Sequence, residues 1–191
     1  MRREKYNKAA SVEIFDWVGF ATLCIVAVVI LLTFGFRQVS VDGSSMMNTL
    51  SHGDRLIMTP VVFNIENEDI IVISRNAMND VNADLTDTRA YNPIIKRVIA
   101  TAGQTVDIDF DSGDVYVDGY VIDEPYISGR TLRNFGTEFP LIVEEGTVFV
   151  LGDNRDSSLD SRDLNIGLVD TRLVLGRVRF RIFPFEGFGG I

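Results

Sequence analysis

The chain has 191 residues, 46% hydrophobic and 24% charged, which allows one modest globular domain with a short appendage and excludes disorder throughout. Its net charge is −9, and residues 1–16 hold four Lys/Arg (Arg2, Arg3, Lys5, Lys8) against three acids (Glu4, Glu13, Asp16). Taking these from totals of 18 and 27 leaves 14 basic and 24 acidic residues in the remainder, which offers no basic footprint for nucleic acid.

The first element in chain order is apolar. From Trp17 to Phe36 the stretch WVGFATLCIVAVVILLTFGF carries no charge, and about 20 residues is the length a helix needs to cross the hydrocarbon core. A cleavable secretory signal would have a shorter apolar run followed by a small-x-small site, whereas Phe36-Arg37-Gln38-Val39 has no such pattern. The expectation is therefore a retained transmembrane anchor over 17–36. Cys24, the single cysteine, falls inside it as a packing residue without a disulfide partner. Basic residues crowd its N-terminal flank, so the positive-inside rule places residues 1–16 in the cytoplasm and residues 37–191 outside it, at a plasma membrane crossed once.

Beyond the anchor, short runs of β-branched and aromatic residues alternate with Gly, Asp and Asn, predicting a mostly β domain of antiparallel sheets. Strands are expected at Arg55–Val62, interrupted by Pro60, and at Asp69–Ser74, Ile94–Ala100 and Thr147–Leu151, with one or two more in Leu173–Phe183. Val106–Phe110, Val115–Val117 and Tyr120–Ile122, separated by Ser112-Gly113 and Asp118-Gly119, read as a three-stranded meander. The polar stretch from Arg75 to Pro93 reads as a long mobile loop, and residues 128–140 as irregular.

Three segments carry candidate chemistry. Val41-Asp42-Gly43-Ser44-Ser45-Met46-Met47-Asn48-Thr49-Leu50 lies just past the anchor and offers Ser45 as a nucleophile, although a Gly-Ser-Ser tripeptide is also a common solvated turn. In IIKRVIA, period-2 alternation sets Ile94, Lys96 and Val98 on one face and Ile95, Arg97 and Ile99 on the other, so each apolar face carries a cation. A buried cation must find an acid, reach water or lose its proton; Arg cannot lose it, whereas a desolvated Lys can serve as a neutral general base. The alternative is that Lys96 snorkels to water along an edge strand. Gly152 to Arg162 (GDNRDSSLDSR) then follows the apolar strand TVFVL with a cluster of ionic and hydrogen-bonding groups, either a solvated turn or a polar clamp whose acids compensate Arg97.

Together these segments resemble bacterial type I signal peptidases, membrane-anchored Ser/Lys proteases. Val41–Leu50 resembles the nucleophile box, Ile95-Lys96-Arg97-Val98-Ile99 the lysine box, and Gly152–Arg162 the Gly-Asp-Asn…Ser-x-Asp-Ser-Arg box, while Glu124-Pro125-Tyr126 fits the region linking them. Asn48 stands where the family usually has proline, which loosens the turn after the nucleophile, and Ala100-Thr101-Ala102-Gly103-Gln104 replaces the commoner Gly-x-Pro-Gly-Asp. The resemblance implies that Ser45 attacks, Lys96 takes its proton and Ser158 orients the Lys96 amine. It further implies that Arg97, Asp153, Asp160 and Arg162 form ion pairs around them, and that the Ser45 backbone N–H binds the oxyanion. Some relatives add a hydroxyl two residues before the nucleophile, which Gly43 cannot supply.

No cofactor or metal is implied. The partners implied are signal-peptide-bearing preproteins and the lipid bilayer, with the secretion translocon nearby. Nine residues from Phe36 to Ser45 reach at most about 30 Å, which tethers the site near the bilayer. Met46 and Met47, with Phe183 to Phe188, are candidates for a substrate-binding or membrane-touching apolar surface, or else for packing. Three other readings compete. Ser45, His52 and Asp54 could form a histidine-based triad; the chain could be a catalytically inactive membrane-anchored binding or assembly protein; or it could be a self-cleaving repressor-type Ser/Lys domain, against which the acidic body and the anchor argue.

Overall fold

A computed structural model of the chain describes residues 2–60, 64–74 and 93–191, with side chains in the first helix described at positions 13 and 15–30. The segment expected to be a long loop, 75–93, lies outside the described residues except for Pro93. The chain divides into two units, Met1–Arg37 and Gln38–Ile191.

The first unit is helix α1, Arg2–Phe34. Its apolar side chains are bare: Trp17 is 73% exposed, Phe20 62% and Leu23 65%. Among the described residues no helix is long and apolar enough to cross a membrane; side chains 31–34 of the expected span lie outside those described.

The second unit is β-rich, as its β-branched runs predict. Its strands are β1 Arg37–Ser40, β2 Arg55–Thr59, β3 Ile70–Ile73, β4 Ile94–Thr101, β5 Thr105–Asp109, β6 Asp114–Val117, β7 Tyr120–Val121, β8 Leu141–Ile142, β9 Thr147–Leu151, β10 Val169–Asp170, β11 Val174–Phe183 and β12 Gly189–Gly190. One sheet runs β1-β2-β11-β3-β4-β9-β10, with β12 added to β11; a smaller sheet runs β7-β6-β5-β8. The expected meander is therefore present as β5, β6 and β7, with Val106 opposite Val117 and Ile108 opposite Val115. The strand expected over Arg55–Val62 stops at Thr59, before the Pro60 ring that lacks an N–H for the ladder; residues 61–63 lie outside those described. Four short strands, β1, β8, β10 and β12, were not legible in the sequence, because two to four residues are too few to show alternation.

Strand β4 is central, paired with β3 on one side and β9 on the other. Its alternation divides the core. Ile95 packs with Val41, Met46, Leu50, Leu56 and Val72, and Val98 lies on the opposite face with Ile71, Ile73, Val148 and Val150, where Ile94 packs too. A register irregularity between Val98 and Ala100 turns both Ile99 and Ala100 toward the third cluster. That cluster joins the two sheets, because Phe149 and Leu151 of β9 meet Val106 and Ile108 of β5 and Val115 of β6.

Phe149 is fully buried and meets Phe139 edge-on at 5.9 Å. Phe149→Ala removes this link between sheets and leaves a cavity, so equilibrium urea unfolding should lose about 3–5 kcal/mol of stability. A loss below about 1 kcal/mol would show that the two sheets do not depend on this contact.

Candidate active site

The nucleophile candidate sits in a tight turn that precedes β2. Met47 N–H donates to Ser44 O at 3.2 Å and Leu50 N–H to Met46 O at 2.7 Å, while Val41 N–H donates to Asp54 O at 2.9 Å and closes the loop at its base. Met46 and Leu50 point into the core, at 1% and 0% exposure, and fasten the turn to the sheet. This corrects the expectation of Met46 as a substrate-binding or membrane-touching residue: its side chain is used in packing. Met47 remains at the surface, 43% exposed, and so do Phe183, Phe185 and Phe188.

Turn and central strand bring the two candidate residues together. Lys96 Nζ and Ser45 Oγ are hydrogen bonded at 2.8 Å. Lys96 is 3% exposed and β4 is paired on both edges, so the lysine does not snorkel along a sheet edge. An open cleft of about 240 Å³ reaches this pair, lined by Gly43, Ser44, Ser45 and Lys96, with Ile94, Leu159 and Ile166 as apolar walls.

The neighbouring cation on β4 is satisfied differently. Arg97 donates to both Asp153 carboxylate oxygens, Nε to Oδ1 at 2.9 Å and Nη2 to Oδ2 at 2.7 Å, and from Nη1 to Glu68 O at 3.1 Å. Its guanidinium lies 3.8 Å from the centroid of the Tyr126 ring. Burial is the largest influence and pushes the Arg97 pKa down, but hydrogen bonding and charge from Asp153, with Tyr126 and Glu68, together hold it above the ordinary value. Tyr126 is pushed up by burial first and by the charge of Glu124 second, so its phenol stays neutral. Thr49, in the nucleophile turn, donates from Oγ1 to Asp153 Oδ2, so the same carboxylate ties the turn to the strand.

Gly152–Arg162 is the polar clamp, and four of its ionic residues are buried rather than solvated: Asp153, Arg155, Asp160 and Arg162 are each at most 1% exposed, while Asp156 faces solvent. Arg162 donates to Asp160 from Nε at 2.8 Å and from Nη2 at 3.0 Å, and its Nη2 also reaches Arg155 O at 2.8 Å. Arg155 pairs with Glu124, donates from Nη1 to Thr131 Oγ1 at 2.5 Å, and donates from Nε to Gly152 O at 3.1 Å. Asp160 Oδ2 in turn accepts the Gly152 N–H at 3.0 Å. Both polar atoms of Gly152 are thus held, and a Cβ there would lie 2.5 Å from Ser45 O and would overlap the Ser158 hydroxyl. Only glycine lets the clamp approach the nucleophile this closely.

The remaining expected residues divide. Ser158 is buried against Gly152, but its Oγ has no hydrogen-bond partner among the described residues, so the bond expected to orient Lys96 is not formed. His52 Nδ1 accepts the Gly43 N–H at 3.3 Å and lies 3.3 Å from Asp42, while Asp54 accepts the Ser51 N–H and pairs with Arg181. Ser45, His52 and Asp54 therefore do not link into a triad. Asn48, in place of the family's proline, donates from Nδ2 to Ile127 O at 3.3 Å, a tether that proline could not make.

Arg155, Glu124, Thr49 and Asn154 were not assigned roles from the sequence; the only signals were the Glu124-Pro125-Tyr126 tripeptide and membership of the polar boxes. Among the described residues no group of three or more His, Cys, Asp or Glu could hold a metal ion.

A sequence model of the family described as signal peptidase, peptidase S26, matches residues 14–183. A signal peptidase I of Bacillus caldolyticus is 35% identical over 186 residues, covering 90% of this chain and 92% of that protein. Another signal peptidase I, from Bacillus licheniformis, is 31% identical over 184 residues, covering 91% of each. A probable signal peptidase I-1 of Synechocystis is 35% identical over 177 residues, covering 87% of this chain and 83% of that protein. With the family pattern spanning nearly the whole chain, the protein belongs to the peptidase S26 family, as a serine peptidase of the bacterial signal peptidase I type.

Proposed function

We propose that this peptidase is a membrane-anchored endopeptidase that removes signal peptides from exported preproteins by means of a Ser45/Lys96 dyad. The observation that carries this reading is the 2.8 Å contact between Ser45 Oγ and an amine that is 3% exposed on a central strand. Burial penalises the charged amine and so acts toward the neutral form that a general base requires.

The chemistry then follows from the geometry. Neutral Lys96 takes the Ser45 proton as Oγ adds to the scissile carbonyl, whose π electrons move to oxygen. The resulting oxyanion is bound by the Ser45 N–H. Collapse re-forms the carbonyl and expels the amine of the mature chain, which leaves with the proton that Lys96 held. Water, deprotonated in turn by Lys96, attacks the Ser45 ester; collapse breaks the ester bond, Lys96 returns the proton to Ser45 Oγ, and the signal peptide leaves with its new carboxyl group, which ionises in solvent. Arg97, Asp153, Asp160 and Arg162 hold the strand, the turn and the clamp in register and touch no reacting atom.

Specificity is supported by the shape of the cleft. Ile94, Leu159 and Ile166 leave a shallow apolar recess beside Ser45, suited to the small side chains of a small-x-small site. Partners follow from the uncharged stretch 17–36: it spans the bilayer with residues 1–16 inside, and preproteins reach the site while still membrane-held, near the translocon.

Detergent-solubilised protein should cleave a preprotein bearing a small-x-small site, with Ser45→Ala and Lys96→Ala each losing at least about 10³-fold in kcat/KM and His52→Ala staying within a few-fold of wild type. Loss in His52→Ala with retention in Lys96→Ala would overturn the dyad, and an inert wild type would identify an inactive binding protein. Gly152→Ala displaces Ser45 and should cost about 100-fold in kcat; full activity in that variant would contradict the close packing of clamp and nucleophile. In native membranes the protein should resist alkaline carbonate extraction and expose its body to protease only from outside, and release into the carbonate supernatant would refute the anchor.

A further inference from the structure

The structure points to a positioning role for Asn154, resting on the dyad reading above: we infer that its side-chain amide sets the direction of the oxyanion-binding N–H. Asn154 Nδ2 donates to Ser44 O at 3.1 Å, and Asn154 N–H donates to Ser45 O at 3.0 Å, so one residue grips the carbonyls on both sides of the nucleophile. The Ser44–Ser45 peptide is trans, and in a trans peptide the C=O and the following N–H lie in one plane and point in opposite directions. Fixing Ser44 O toward Asn154 therefore turns the Ser45 N–H away from it. Ser44 and Ser45 line the cleft and Asn154 does not, so the grip comes from behind and the N–H is left to the cleft side. Among the described residues the Ser45 N–H has no acceptor, as an N–H reserved for a transient anion requires.

The turn's own bond, Met47 N–H to Ser44 O at 3.2 Å, shares the carbonyl but is internal to the turn. It shapes the turn from within, whereas Asn154 reaches the Ser44 and Ser45 carbonyls from the clamp. Asn154 is anchored elsewhere: it follows Asp153, whose carboxylate is locked by Arg97, and it precedes the 3-10 turn Arg155–Ser157, whose Arg155 is buried against Glu124 and Thr131. The peptide plane of the nucleophile is thereby referenced to the same clamp that holds Arg97, next to Lys96 on β4.

The test uses the full-length chain in detergent micelles, with Asn154→Asp, which keeps the shape but replaces the donor by a carboxylate facing Ser44 O, and Asn154→Ala. Both keep the backbone N–H bond to Ser45 O. Kinetics on a small-x-small peptide substrate are combined with two ligands. Ser45 Oγ adds to the carbonyl carbon of the peptide aldehyde of the cleaved sequence, its proton passing to Lys96 and the carbonyl π pair to oxygen, so the adduct uses the oxyanion donor. The corresponding peptide amide fills the same cleft without forming an oxyanion. The expected result is a fall in kcat of roughly 10- to 100-fold in both variants, below or near the loss of an oxyanion donor outright. KM should stay within about twofold, aldehyde affinity should fall by a similar factor, and amide affinity should be unchanged. The inference is overturned if Asn154→Asp keeps kcat within twofold, or if aldehyde and amide affinities fall together, which would mean a collapsed cleft. Should Asn154→Asp fail to fold, Asn154→Ala decides by the same two ligands. Failure of wild type to cleave, or cleavage by Ser45→Ala, would instead reject the dyad reading itself.

Discussion

An amine on the central strand of a sheet, 3% exposed and 2.8 Å from a serine hydroxyl, is the constraint to which the rest of the body answers. Burying a cation without compensation is too costly for a domain of this size, so β4 must treat its two cations differently. Arg97 keeps its charge and is met by a bidentate carboxylate, a backbone carbonyl and an aromatic face. Lys96 lies within hydrogen-bond distance of a hydroxyl, that of Ser45. The two residues are adjacent, so the strand's alternation puts Arg97 on one face and Lys96 on the other.

The polar clamp has the same logic at larger scale. Asp153 is shared by Arg97 and Thr49, Asp160 by Arg162 and the Gly152 N–H, and Arg155 by Glu124, Thr131 and the Gly152 carbonyl. Asp160 and Arg155 thus each hold a charge partner and a backbone atom of Gly152, while Asp153 holds a charge partner and the hydroxyl of Thr49 in the nucleophile-candidate turn. Networks of this kind are rigid only when nearly every member is satisfied. Ser158 is the exception, a buried hydroxyl without a partner among the described residues, and it lies against Gly152.

Much of this was legible from residue patterns, for reasons that differ between elements. Period-2 alternation exposed the two-faced problem of β4, and it exposed the meander because its turns carry Gly at positions with positive φ, Gly113 and Gly119. The site residues were legible as three separated boxes, yet their pairing was not: nothing in the order of residues says that Asp153 meets Arg97 while Asp160 meets Arg162. Met46 was misread, because a methionine beside a nucleophile is equally suited to a pocket or a core, and only the turn's geometry sends its side chain inward. Arg155 was not legible because a charged residue in a Gly-Asp-Asn loop ordinarily faces water, as Asp156 does, whereas Arg155 is buried against Glu124. Asn154 escaped notice since its importance lies in which carbonyls it holds, a tertiary fact.

The central claim is that burial makes Lys96 the base for Ser45, and proton occupancy tests it most directly. The full-length chain, labelled with 15N at lysine side chains, can be titrated in micelles while the rate of acyl-enzyme formation at Ser45 is followed over the same pH range by rapid quench and mass spectrometry. The account predicts that acylation rises with pH along one ionisation and that the Lys96 amine loses its proton along the same curve. A Lys96 amine that stays charged throughout the range where acylation runs at full rate would contradict it.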